Sequence, residues 1–132
     1  MMISLCKSKI HRATVTETNL DYVGSLTIDQ TLMRFANLRE FERVTVANIT
    51  NGERFDTYVI KGGADTGEMC VNGAAAHKAS VGDLIIVCAY GLYSEKEAEE
   101  FAPSIVFVNA KNAPVEIKSS ERAGEVYPAT AT

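Results

Sequence analysis

Three short clusters in this chain carry side chains that could do chemistry. Lys9-Ile10-His11-Arg12 sets three basic residues within four positions. Side chains alternate along a strand, so Lys9 and His11 would share one face and could hold an anion together. A solvated strand end would have the same composition. Tyr22-Val23-Gly24-Ser25 contains the second cluster. Gly-Ser is ordinary turn chemistry, but it also has a rarer option. Glycine permits a strained backbone, and the Ser25 hydroxyl could then attack the Gly24 carbonyl carbon and turn the amide into an ester. β-Elimination of that ester would leave dehydroalanine, which hydrolyses to a pyruvoyl group. The third cluster is Arg54-Phe55-Asp56-Thr57-Tyr58. Arg54, Asp56 and Tyr58 have one parity and would project from one strand face. There a guanidinium can bind a carboxylate in bidentate fashion and a phenol can act as an acid. A merely exposed, charged strand face would read the same way.

Other chemistries lack their signatures. Gly62-Gly63 is not followed by the Lys-Ser/Thr of a phosphate loop, and no H-E-x-x-H, G-x-S-x-G or paired-carboxylate pattern occurs. Cys6, Cys70 and Cys88 form no C-x-x-C spacing, and there are only two histidines. Neither a disulfide framework nor a metal site is expected from such material, and the default compartment is a reducing cytoplasm. The net charge is −4, and Glu95, Lys96, Glu97, Glu99 and Glu100 supply most of that excess. Nucleic-acid binding is therefore not expected. No apolar run is long enough to span a membrane, and Met1 to Lys9 does not read as a signal peptide.

The elements that would position these residues are mostly short strands. Ala13 to Thr16 and Leu26 to Ile28 have strand character, and Asp29 reads as the N-cap of a helix burying Leu32, Met33 and Ala36. Val44 to Ile49 runs into Asn51-Gly52, the strongest hairpin signal, and returns as Phe55 to Ile60. Met69 to Val71 reads as a strand, Ala74 to His77 as one helical turn, and Leu84 to Ala89 as a strand buried on both faces. Ser94 to Glu97 resembles a capping box opening an acidic helix towards Phe101, and Ile105 to Val108 is expected to be the last strand. With 132 residues and 46% hydrophobic content, the pattern is one mainly-β barrel domain over 1–110 with a few short helices. Residues 111–132 are expected to form a flexible tail, with Val115, Ile117, Val126 and Tyr127 its only candidate anchors.

Several blocks together resemble the bacterial aspartate 1-decarboxylase family. They are Lys9 to Thr16, Leu20 to Ser25 with Ile28-Asp29, Asn51 to Tyr58, Val71 to His77, and Ser80 to Asp83. The resemblance covers about residues 1–110 and implies a double-psi β-barrel. It also implies self-cleavage between Gly24 and Ser25, giving a β chain of 1–24 and an α chain of 25–132 that begins with a pyruvoyl group made from Ser25. Neither PLP nor a metal belongs to that chemistry. The implied reaction decarboxylates L-aspartate to β-alanine for pantothenate synthesis through a Schiff base on the pyruvoyl ketone, the electron-sink role that PLP fills elsewhere.

By the same resemblance Tyr58 is the proton donor, and Thr57 polarises the Gly24 carbonyl during cleavage and contacts substrate. Arg54 and Lys9 bind its carboxylates, with the division between them open. The backbone of Gly73, Ala74 and Ala75 also meets the substrate. His11, Tyr22 and Asn72 are active-site neighbours, and Ile86 an apolar wall. A homotetramer with sites between subunits is implied, and the need for an accessory maturation factor is left open. The rival reading is a non-catalytic barrel that binds a small anion or serves as an interaction module. Gly24-Ser25 discriminates the two, because such a module has no use for a cleavable dipeptide there.

Overall fold

The computed structural model describes residues 1–126, so Tyr127, one of the expected tail anchors, lies outside the described residues. In chain order the elements are β1 (Met2–Thr14), β2 (Glu17–Asn19), β3 (Ser25–Asp29), α1 (Gln30–Ala36), β4 (Arg43–Asn48) and β5 (Arg54–Gly62). They continue with β6 (Met69–Asn72), a 3-10 helix (Gly73–Lys78), β7 (Leu84–Ser94), α2 (Glu95–Glu99), β8 (Ser104–Val108) and β9 (Pro114–Lys118). The strands lie in the order β2-β6-β3-β5-β4-β7-β1-β8-β9. Because β2 continues directly from β1, the pairing of β1 with β7 and of β2 with β6 closes this order on itself. The Thr16 amide also donates to the Met69 carbonyl at 2.9 Å across that closure. The result is a mainly-β barrel, as expected. Its interior is filled by fully buried Ile10, Leu26, Ile28, Val46, Val59, Met69, Ile85 and Val87.

Local signals hold where the side chain acts on its own backbone. The Asp29 carboxylate caps α1 by accepting from the Thr31 amide at 2.8 Å, and Leu32, Met33 and Ala36 are buried. The same carboxylate accepts from the Asp65 and Gly67 amides, which pins the 63–67 loop. Ser94 and Glu97 form the expected reciprocal capping box.

Four expectations change. The first strand begins at Met2 rather than Ala13, since β7 supplies a ladder along its whole length, with bulges near Lys7 and between Ile10 and Ala13. Strand β7 alternates between buried and part-exposed residues rather than being buried on both faces, so Ile86 and Cys88 look away from the core. Glu17–Asn19 is an additional short strand. Ile105–Val108 is followed by a further strand, because β8 still has an edge to offer and β9 pairs with it. Pro114–Lys118 therefore belong to the sheet. The buried Asn112 side chain exchanges hydrogen bonds with the backbone of Thr14 at 2.7 and 2.8 Å and donates to the Gly67 carbonyl at 2.8 Å.

Candidate active site

Ser25 is the first residue of β3. Leu26 and Ile28 are drawn into the core, and alternation turns Ser25 and Thr27 the other way. Strand β5 runs parallel to β3 with Leu26 opposite Val59, which sets Tyr58 beside Ser25. On the other side β6 runs antiparallel, with Ser25 opposite Asn72 and Thr27 opposite Cys70. A cleft of about 490 Å³ opens along these strands, and Tyr22, Ser25, Thr27, Tyr58 and Asn72 line it. Residues far apart in sequence thus meet because β3 lies between β5 and β6.

Within the cleft Ser25 is only 4% exposed. The Asn72 side-chain amide donates to Ser25 Oγ and to Thr27 Oγ1, both at 3.0 Å, and the Asn72 carbonyl oxygen accepts from the Cys70 thiol at 3.0 Å. The 3-10 helix starts immediately behind. Gly73 adopts φ +69°, and a Cβ there would stand 2.6 Å from Gly24 Cα and 2.9 Å from Gly24 N. A glycine is therefore required for two reasons, the left-handed backbone and the direct seating of Gly24 on Gly73. The β3–β5 register starts at Leu26 opposite Val59, and continuing it back by two residues would bring Thr57 level with Gly24. Ala75 packs against the core cluster and Ala74 is exposed.

A second group of expected residues gathers elsewhere. Lys9 and His11 line a separate cleft of about 130 Å³ with Phe107, Glu116, Lys118 and Glu121. Lys9 Nζ pairs with the Glu121 carboxylate at 3.0 Å. His11 packs edge-on to Phe107, and burial, reinforced by the Lys9 and Arg12 cations, holds its imidazole below the ordinary histidine range. Arg54 lies opposite Ala47, and Ala47 opposite Ile86, one row of the sheet facing away from the core. Among the described residues Arg54 makes no ion pair. Asp56, two places along, is instead taken by Arg43 at 2.6 Å and Thr45 at 2.9 Å, which together hold its carboxyl below the ordinary range. The structure therefore unites Ser25, Tyr22, Tyr58 and Asn72, with Gly24 and Gly73 behind them. Lys9, His11, Arg54 and Ile86 do not line the Ser25 cleft of the same chain.

The cleft thus holds a buried serine hydroxyl bonded to an amide, preceded by a glycine pressed onto a second glycine and flanked by a phenol. The comparisons with known proteins give the family. The family model described as aspartate decarboxylase matches residues 1–115. The chain belongs to the aspartate decarboxylase family. It is 56% identical over 126 residues to the aspartate 1-decarboxylase of Acetivibrio thermocellus, covering 96% of this chain and 100% of that protein. The enzyme of the same name from Campylobacter fetus is 57% identical over 112 residues, covering 85% of this chain and 96% of that one. For Clostridium botulinum the identity is 48% over 126 residues, with 96% and 99% covered. Membership of this family makes the chain a decarboxylase.

Sequence reasoning missed Cys70 as the donor behind Asn72, Thr27 as its second acceptor, and Lys61 and Glu68 on the far wall of this decarboxylase's cleft. Of these, only the parity of Cys70 and Asn72 on one strand was readable, once Asn72 itself had been singled out. Among the described residues no group of three or more His, Cys, Asp or Glu could hold a metal ion, and no helix is long and apolar enough to cross a membrane.

Proposed function

We propose that this chain cleaves itself between Gly24 and Ser25 and then decarboxylates L-aspartate to β-alanine and carbon dioxide, a supply step for pantothenate synthesis. The observation that carries the reading is the buried Ser25 hydroxyl, held at 3.0 Å by Asn72 directly after a glycine seated on Gly73. Ser25 Oγ attacks the Gly24 carbonyl carbon, the C–N bond breaks, and the amide becomes an ester with a free amine on Ser25. Thr57, which the continued register would bring level with Gly24, donates to the carbonyl oxygen as negative charge develops on it. Loss of the Ser25 Cα proton with departure of the Gly24 carboxylate leaves dehydroalanine, and water then releases ammonia to leave a ketone. The surroundings suit a group formed from Ser25, being enclosed, supplied with an amide donor and too tight for any side chain at position 73.

The pyruvoyl ketone supplies covalent capture of the substrate amine and a sink for the electrons that carbon dioxide leaves behind. Tyr58, beside Ser25 on the neighbouring strand, returns a proton to the substrate carbon. Arg54 and Lys9 bind the two carboxylates, the 73–75 backbone contacts the substrate, Ile86 walls the pocket, and His11 and Tyr22 complete its surroundings. Because Lys9 and His11 line a different cleft from Ser25 in one chain, these groups meet only if a second copy contributes them. That separation supports sites shared between subunits, as in the homotetramer that the family resemblance implies.

Denaturing mass spectrometry of incubated protein, paired with an assay for β-alanine from L-aspartate, tests the proposal. The expected result is fragments 1–24 and 25–132, the larger beginning with a carbonyl in place of an amine. Ser25→Ala should show neither fragments nor product. A wild-type chain that stays intact and makes no β-alanine would refute the proposal and favour a non-catalytic anion-binding barrel.

A further inference from the structure

Cys70 has no part in the reaction above, yet it is 2% exposed on β6, one alternation from Asn72. Its Sγ lies 3.0 Å from Asn72 Oδ1 and 3.5 Å from Glu17 Oε2, the nearer contact falling on the amide. Ser25 opposite Asn72 and Thr27 opposite Cys70 set four polar side chains on one face of the β3–β6 ladder. Asn72 is thereby fully engaged, with its Nδ2 serving both Ser25 Oγ and Thr27 Oγ1. Rotating the amide by half a turn would set Nδ2 against sulfur, a weak acceptor, and leave Oδ1 to take whatever the two hydroxyls donate. Burial and the neighbouring Glu17 carboxylate push the Cys70 thiol up to about 12, so its proton stays in place as a donor.

We propose that Cys70 is a positioning residue for self-cleavage, its thiol proton fixing the Asn72 amide so that an N–H points at Ser25 Oγ. The role rests on the Gly24-Ser25 cleavage proposed above. The N–H engages one lone pair of Oγ and leaves the other available for attack on the Gly24 carbonyl carbon. Its second contribution comes at the elimination. Water takes the Ser25 Cα proton, the C–H electron pair becomes the Cα=Cβ double bond, and the Cβ–Oγ pair leaves with oxygen. Oγ departs as part of the Gly24 carboxylate, so negative charge gathers on the atom to which Asn72 donates, where a hydrogen bond is strongest.

Cys70→Val keeps an apolar side chain of similar size without a donor, and Cys70→Ser keeps a donor. The test is the time course of conversion of intact chain to 1–24 and 25–132. Melting temperatures are measured alongside in a Ser25→Ala background, which prevents cleavage. Cys70→Val should slow conversion by about 2- to 10-fold, the range that loss of one neutral hydrogen bond supports. Cys70→Ser should stay within about twofold of wild type on the same ground, and Cys70→Ala serves as a second donor-free variant if valine disturbs folding. Wild-type rates in both donor-free variants, or a Cys70→Ser variant as slow as Cys70→Val, would overturn the role. A wild-type chain that never cleaves refutes the underlying reaction and this role with it, whereas a cleaving wild type matched by Cys70→Val refutes Cys70 alone.

Discussion

Replacing Gly73 by alanine is the sharpest perturbation of the proposed cleavage site. The new Cβ would stand 2.6 Å from Gly24 Cα and 2.9 Å from Gly24 N, both backbone atoms that no rotamer change can clear. Gly24 would have to retreat by about 0.8 Å to reach ordinary contact at 3.4 Å. Misplacing a reacting group by about 1 Å can cost about 10²-fold, so self-cleavage of Gly73→Ala should slow by about 10- to 100-fold. The left-handed φ of +69° adds a separate cost of about 1–2 kcal/mol, which lowers Tm by roughly 3–10 °C for a chain of this size. Gly52 separates the two effects. It also has a left-handed φ, +79°, but nothing lies within 4 Å of a Cβ there. Gly52→Ala should therefore lose similar stability and cleave at the wild-type rate. The assay is denaturing mass spectrometry of freshly made protein over time, with Tm read in a Ser25→Ala background. Cleavage of Gly73→Ala within about twofold of wild type, a margin well inside the expected loss, would refute the seating argument. Equal slowing in Gly52→Ala would show that the effect is only lost stability.

Tyr58→Phe should leave the fragments 1–24 and 25–132 unchanged and lower kcat for L-aspartate by about 10²–10⁴; an unaltered kcat removes Tyr58 as proton donor. Arg54→Ala should raise KM by about tenfold or more, as loss of a charge-assisted carboxylate contact would, and an unchanged KM would send the substrate carboxylates elsewhere. Cys6 is brought down to about 7, chiefly by hydrogen bonding to Cys88, whereas Cys70 is pushed up to about 12 by burial and the Glu17 carboxylate. A thiolate is the reactive form, so iodoacetamide labelling of Cys6 should climb as pH rises through about 7 while Cys70 stays unlabelled. Peptide mapping that finds Cys70 labelled first would contradict this order.

How far each part was legible in the sequence follows from the range of the interaction that makes it. Asp29 and Ser94 act on amides two and three residues away, so their helices were readable from type and spacing. Strand β1 hid its first half because Ser4, Lys7 and Ser8 interrupt its apolar pattern, and its ladder comes from β7, some eighty residues later. The β9 strand, with Val115, Glu116 and Ile117 all exposed, carries no burial signal at all and exists through pairing with β8. In the site, Ser25, Tyr58 and Asn72 could be named from their blocks, but not the contact between them.

The sequence by itself determined the chemical equipment of this decarboxylase: a Gly24-Ser25 peptide, a phenol and a guanidinium of one parity at Tyr58 and Arg54, and a family resemblance dense enough to give the reaction. Those are properties of residue type and local spacing. Tertiary structure decided which of them work together. Placing β3 between β5 and β6 brings Tyr58 and Asn72 to Ser25, and the left-handed turn at Gly73 seats Gly24. The same ladders carry Lys9 and His11 to another cleft. Strand register is fixed by burial of the opposite face, summed over the whole barrel, and no stretch of sequence a few residues long contains that information.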